Sequence, residues 1–507
     1  MQDKRLKRLD STRCLIANKS GVDATLFANE EVPVEAAALD ELLGFLQLQR
    51  TIEQLSERAP GFLPPCAKVE RVAVTPDFHK GAGIPIGTVL ATNGFIIPAA
   101  VGNDINCGMR LHVTTLTADK VSEHLDQVET KLRHVFFEGG RDIAMTRVQR
   151  EALLREGLTG LLASVPASQT QGQWRAFHEH SERELASVER KGSLSASRII
   201  GLESLLGRDG LSRDSQIGSI GGGNHFVELQ RIEKILDGQT AHAWGLRPGQ
   251  VTIMVHTGSV SVGHQSAGFC RNLVRGIYPQ GLKHPENGVY VLPDSERFQR
   301  EVQDFWDALH NAANFAHANR LFLALMALES LRSVLGEADM HLVYDAPHNL
   351  VRREQTSSGT RFLHRKGACP ARGMDSMAET RFAFHGEPVL VPGSMGASSF
   401  VLAGLGNSDA LSSASHGAGR VLSRGEALKV DQAAFTRFMR EFRVVTPVDF
   451  RRTDVRQRRA IVDRKLEDIK KEAPYAYKGI GPIIRTLTDA GIARPVAELR
   501  PLLTVKG

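Results

Sequence analysis

The chain has 507 residues, 42% of them apolar and 24% charged, and a net charge of +6. That composition excludes a chain that is disordered throughout, and apolar runs such as LFLALMAL from Leu321 are far too short to cross a bilayer. The mild basic excess permits a nucleic-acid partner without arguing for one.

The N-terminal 35 residues read as a weak, strand-prone start. Glu35 to Glu57 has helical apolar spacing and predicts one amphipathic helix, broken by Pro60, Pro64 and Pro65. From Val69 to about Thr115, short β-branched runs alternate with Gly, Pro, Asp and Asn, a texture of strands and tight loops. Residues 120–215 read as mostly helical. Gly-rich β texture returns at Ile217 to Leu229 and at Val251 to Gly263. Asp294 to Glu337 predicts a long helix with Asp294 or Ser295 as its N-cap. Strands and loops resume from His341 to about Ser415. Arg437 to Lys471 carries 12 Arg/Lys against 6 Asp/Glu, either a solvated helical face or a surface that tracks phosphates. No internal repeat is evident. The expected organisation is an N-terminal extension over 1–60 and one large domain over 61–507, with 120–215 as a helical insertion.

Cys14, Cys66, Cys107, Cys270 and Cys369 are scattered and form no Cys-x-x-Cys pair, which argues against a disulfide framework. No apolar leader follows the charges of MQDKRLKRLDSTRC, so a reducing cytoplasm is the expected compartment.

The chemistry-bearing segments lie in loops beside apolar runs. GNDINCGMR sets Asp104 and Cys107 three apart between glycines; a carboxylate and a thiol in one tight loop can hold one or two metal ions, with the thiolate able to bridge. In GSIGGGNHFVELQ, strand alternation places His225 on one face and Asn224, Phe226 and Glu228 on the other. Phe226 can then stack on a base and Glu228 can accept from a guanine edge. His256 ends an apolar strand before Thr257-Gly258-Ser259. His348 and Asn349 follow YDAP, and His364, Arg365 and Lys366 form a basic segment. PVLVPGSMGASSFVLAG offers a Gly/Ser loop suited to phosphate. SSASHGAGRVLSR holds His416, with Arg420 and Arg424 spaced to share a helix face. Singly, each has a bland reading as a turn or a satisfied loop histidine. Four histidines at strand ends, an Asp-x-x-Cys loop and two phosphate-suited loops together ask for a metal centre beside a nucleotide.

In this order GNDINCG, GGNHFVE, YDAPHN, HRKGA, PGSMG and SHGAGR resemble the RtcB family of GTP-dependent RNA ligases, from about Pro76 (PDFHKGAGIPIG) to Lys478. The resemblance implies an α+β, mixed-sheet fold. It implies joining of RNA 3′-phosphate or 2′,3′-cyclic phosphate ends to 5′-hydroxyl ends, in RNA repair or tRNA splicing. It also implies two manganese(II) ions bridged by Cys107, one completed by Asp104 and His225 and the other by His256 and His348. His416 becomes the guanylylated nucleophile. Asn224 and Asn349 fall near the α-phosphate, and Phe226, Glu228, Ser394, Ser399 and Lys478 near the guanosine. Pro392, Gly393, Met395, Gly417, Ala418 and Gly419 complete the implied nucleotide loops. Lys80, His364, Arg365, Lys366, Arg420 and Arg424 are the candidate RNA contacts, and an archease-type activator is an implied partner. Manganese rests on the family alone, since a thiolate with imidazoles suits zinc or iron as well.

One departure stands out. The family usually has Arg after the Gly-Ser that follows the metal histidine, and here Gly258-Ser259 is followed by Val260. Losing such a charge-assisted contact costs about 1.5–3 kcal/mol. Two alternatives follow: a diverged nucleotidyltransferase that guanylylates or caps 3′-phosphate ends, and a non-catalytic RNA-binding paralogue.

Overall fold

The computed structural model describes residues 3–357 and 359–507. Helices and two large mixed sheets build an α+β architecture, as expected. The first sheet has seven strands in the order Leu6–Arg8, Arg13–Ile16, Ala24–Phe27, Lys68–His79, Ile86–Asn93, Gly359–Lys366 and Asn349–Thr356. The second runs Met340–Pro347, Gly108–Thr117, Gln250–Thr257, Phe226–Ile235, Ala493–Val505, Ser399–Gly404 and Pro388–Val391, with Val444–Val445 paired beside Ala493–Val505. Met340–Pro347 passes into Asn349–Thr356 through a single residue, His348, so the chain changes sheets there.

The N-terminal segment differs from its expectation. Two helices form, Ala36–Leu46 and Leu48–Arg58, interrupted at Gln47. The three first strands pair onward into Lys68–His79, so residues before 60 are part of the first sheet rather than an extension beside it. Their apolar faces share a core with Val389, Leu402 and Ile483 from the far end of the chain. Four α-helices occupy 118–184, whereas 185–215, also read as helical, holds only short 3-10 turns and the two-residue strand Ser212–Arg213.

The long helix Gln299–Leu335 begins after one turn of 3-10 helix, and Ser295 makes no capping hydrogen bond. It is buried nearly all round and packs on the second sheet. An apolar helix in that position leaves loops without partners, and its buried polar side chains supply them. Asn314 donates to the carbonyls of Leu154 and Leu194. Asn319 donates to the carbonyls of Ser219 and Gly258. Arg320 donates to the carbonyls of Asn106 and Thr257 and pairs with Asp345, all of them fully buried. Asn106 closes the set by donating to the Ala313 carbonyl. The helix therefore fixes the loop that carries Asp104 and Cys107 and the end of the strand that carries His256. Among the described residues no helix is long and apolar enough to cross a membrane.

Candidate active site

Sheet register assembles the site. Gly108, Thr257 and Pro347 are cross-strand partners at matching ends of three neighbouring strands, and Phe226 pairs with His256 on the fourth. Cys107, His256, His348 and His225 therefore come off one edge together. The Cys107 Sγ lies 3.3 Å from His225 Nε2 and 3.4 Å from His256 Nε2. His256 Nε2 lies 3.3 Å from His348 Nε2, and His225 Nε2 3.0 Å from Asp104 Oδ2. The five residues form two triads, Asp104–Cys107–His225 and Cys107–His256–His348, that share the thiol.

These residues fit a pair of metal ions. Tetrahedral ligands at metal–nitrogen and metal–sulfur distances of about 2.0–2.3 Å stand roughly 3.3–3.8 Å apart, close to the separations seen. Burial holds His256 and His348 well below the usual imidazole range, so both are neutral and keep a lone pair to donate. The His348 Nδ1 atom is buried without a hydrogen-bond partner among the described residues. Burial and the Asp104 charge push the Cys107 thiol far up, an arrangement that a cation reverses. Gly258 is required here, because a Cβ on it would stand 2.6 Å from both Asp104 carboxylate oxygens.

His416 stands above this cluster, its ring centroid 4.7 Å from that of His348. Its Nδ1 is 2.6 Å from Asp77 Oδ2, which also accepts its backbone N–H at 3.2 Å. The Thr75 hydroxyl donates to the other Asp77 oxygen at 2.5 Å. Burial opposes ionisation of Asp77, but His416 and Thr75 hold its carboxyl below the usual range. A carboxylate at Nδ1 fixes the proton there and leaves Nε2 with a free lone pair. Gly419 permits the approach, since a Cβ on it would lie 2.2 Å from the Asp77 carbonyl oxygen.

A cavity of about 690 Å³ opens over these groups. Of the residues singled out in the sequence, it is lined by Lys80, Asp104, Cys107, Asn224, His225, Phe226, His256, His348, Asn349, Lys366, Pro392 to Met395 and His416 to Arg420, with Arg424 at its margin. Asn224, His225 and Phe226 all face it, because the strand starts only at Phe226 and alternation does not yet apply to the two residues before it. Arg420 and Arg424 share no helix face, as the helix begins at Arg424; both bond one carboxylate instead, Glu472.

Five expectations need correction. His364 is fully buried and its Nε2 accepts the Ile97 N–H, so it presents nothing to RNA. Arg365 points from the other side of the strand and donates to Ser413 Oγ, outside the cavity lining. Glu228 and Ser399 lie behind the wall: Gln230 donates to both, Thr504 donates to Glu228, and Ser399 Oγ accepts the Gly393 N–H. They brace the loop instead of lining the cavity. Lys478 is buried with its Nζ on the carbonyls of Pro76 and Phe78, where it buttresses the Asp77 segment.

The lysine in the cavity is Lys506, its Nζ 2.6 Å from the Gly223 carbonyl and its pKa pushed down to about 8 by burial. Asp77, His79 and Arg271 are further cavity or support residues that the sequence reading passed over. Asp77 and His79 sit in the PDFHKGAG segment and were accessible to it; Lys506 and Arg271 lie outside every motif. Arg271 also bears on the departure at Val260, because it places a guanidinium on the cavity from the same helix, Val260–Gly276. Val260 keeps a role through its backbone: it holds a left-handed φ of 49° and donates its N–H to Asp104 at 2.9 Å.

Fold and site together define a cavity over two triads that could hold metal ions, with a histidine oriented by a buried carboxylate. The chain belongs to the RtcB family: the family model described as "tRNA-splicing ligase RtcB" matches residues 63–507. Relatives of that name include a Thermococcus kodakarensis protein, 34% identical over 94% of this chain and 95% of the relative. Others are a Pyrobaculum aerophilum protein at 32% and a Nanoarchaeum equitans protein at 31%, each over the same shares of the two chains.

Proposed function

We propose that the chain is a GTP-dependent RNA ligase that joins 3′-phosphate or 2′,3′-cyclic phosphate ends to 5′-hydroxyl ends in RNA repair or tRNA splicing, in the cytoplasm. The observation that carries the reading is His416, oriented by Asp77 and held over a five-ligand cluster. Asp104, Cys107, His225, His256 and His348 would hold two manganese ions. Bound there, the metal would supply Lewis-acid stabilisation of charge developing on phosphate oxygens.

The chain's own groups then act as follows. His416 Nε2 attacks the α-phosphorus of GTP; the N–P bond forms as the bond to the β-phosphate oxygen breaks, and pyrophosphate leaves. Asp77 stabilises the positive charge that appears on the imidazole and keeps the proton on Nδ1. Backbone N–H groups of Ser394, Met395 and the Gly417–Gly419 loop, with Lys506, suit the nucleotide. A 2′,3′-cyclic end is first hydrolysed, water adding to phosphorus as the P–O2′ bond breaks; GMP then passes from His416 to the RNA 3′-phosphate, and the 5′-hydroxyl attacks that phosphate and displaces GMP. Lys80, Lys366, Arg271, Arg420 and Arg424 supply positive charge for the RNA ends. An archease-type activator belongs to this proposal through the family.

Val260 favours one second reading, transfer of GMP to a 3′-phosphate end without efficient sealing. Labelling with manganese and α-labelled GTP, followed by a denaturing gel, tests the first step: a labelled band that His416→Ala and Cys107→Ala both lose supports it, and no label in metal-loaded protein refutes it. Matched RNA substrates then separate sealed from capped products.

A further inference from the structure

A second cavity, of about 420 Å³, lies on the far side of the Gly359–Lys366 strand from the catalytic one. Neighbouring residues of a strand point to opposite faces, so Lys366 lines the catalytic cavity while Arg365 lines this one. The register of the hairpin adds Arg352 opposite Leu363 and Glu354 opposite Arg361. Arg190 and Arg372 enter from two separate loops.

Carboxylates match only some of these five arginines. Arg361 pairs with Glu354. Arg372 forms a two-pronged contact with Glu387, and Arg352 pairs with Glu189. Among the described residues Arg190 and Arg365 have no carboxylate partner. Arg365 is only 5% exposed and has just the Ser413 hydroxyl and the Ser412 carbonyl. Burial and the neighbouring Arg372 and Arg365 guanidiniums push Arg352 down to about 9, a measure of how crowded the positive charge is. A buried guanidinium beside others of its kind is costly unless an anion joins it. The hydroxyls of Ser376, Ser408 and Ser412 at the same cavity add donors. Two of its walls hold consecutive non-glycine residues in the left-handed region, Arg190–Lys191 and Leu411–Ser412, the kind of strain that a fold keeps where a loop is held for use.

We propose that this cavity is a phosphate-binding site separate from the catalytic one, built to take a phosphate group among its arginines, with Arg190 and Arg365 as the two that no carboxylate matches. Guanidinium pairs match tetrahedral oxyanions in two-pronged geometry, and the room left around one phosphate suits a phosphate carried on a nucleotide or on a strand. The two sources share one chemistry. The site does not depend on the ligase reading, since neither His416 nor the metal ligands contribute to it.

The test measures binding to the full chain of two probes, 5′-AMP by calorimetry and a short RNA with hydroxyls at both ends by fluorescence anisotropy, in the presence of a chelator. Arg190 is exposed, so Arg190→Glu is the first variant and Arg365→Gln the second, and the melting temperature of each is checked. At least one probe should lose about tenfold or more in affinity in Arg190→Glu, recover in Arg190→Lys, and bind unchanged to His416→Ala. Loss for AMP identifies a free nucleotide as the ligand, and loss for RNA alone a strand. Equal binding of both probes to parent, Arg190→Glu and a folded Arg365→Gln overturns the proposal, whatever the labelling of His416 shows.

Discussion

Asp77→Asn isolates the step on which the proposed chemistry turns. Asparagine is close to isosteric, and its amide oxygen can still face His416 while its NH₂ meets the Thr75 hydroxyl, which can turn to accept. What is removed is the negative charge beside an imidazole that becomes positive as the N–P bond forms. Both groups are buried, Asp77 at 0% and His416 at 8% exposure. Unit charges about 4 Å apart at an effective dielectric near 20 interact by about 4 kcal/mol, which corresponds to roughly a thousandfold in rate. Single-turnover labelling with α-labelled GTP measures that rate directly, and a thermal melt confirms the fold. A labelling rate within threefold of the parent, in a folded variant, would show that Asp77 does not stabilise the transition state.

Four further outcomes follow from the geometry. Lys506→Ala should weaken GTP use about tenfold or more with little change in melting temperature, whereas Lys478→Ala should lower stability by about 1.5–3 kcal/mol, because it removes a charged donor from two buried carbonyls; urea melts and labelling titrations of the two variants check this. Glu228 is raised from 4.5 to about 7 by burial. Its neutral form is the one the fold prefers, so its contribution is complete below the ordinary carboxyl range and is lost as pH rises through 7, by roughly 3 kcal/mol. Urea melts across that window should show the loss in the parent and a flat difference in Glu228→Gln. Arg320→Met strands the Asp345 carboxylate and two loop carbonyls, and should cost about 3–5 kcal/mol in melts run with chelator. Cys107 belongs to both triads, so Cys107→Ala should lower bound metal below the content of His225→Ala or His348→Ala, as measured by elemental analysis after desalting.

The parts of this molecule legible in sequence are those where one short segment holds the whole signal. Asp104 and Cys107 share a loop, His225, His348 and His416 sit at strand ends beside Gly or Asn, and His256 ends a strand two residues before Gly258, so their grouping follows once the strands are aligned. Burial is much harder to read. His364, Arg365 and Lys366 look like one basic patch, yet one is sealed in the core and the other two face different cavities. Glu228 and Ser399 carry suitable chemistry but stand one layer too deep. Lys478 and Lys506 are both lysines near the C-terminal end of the described chain, and only the strand pairing that brings Ala493–Val505 next to Phe226–Ile235 decides which one reaches the cavity. The single helix read over 35–57 is two helices that meet at Gln47, a break that apolar spacing does not encode.

His348 is the one-residue joint at which the chain leaves one sheet and enters the other, and its ring is packed between His256 and His416. A displacement of one sheet against the other at this point would move the imidazole that lies between His256 and His416. On the proposed function, the alignment of His416 over the Cys107–His256–His348 triad would then depend on how the two sheets are set against each other at this joint.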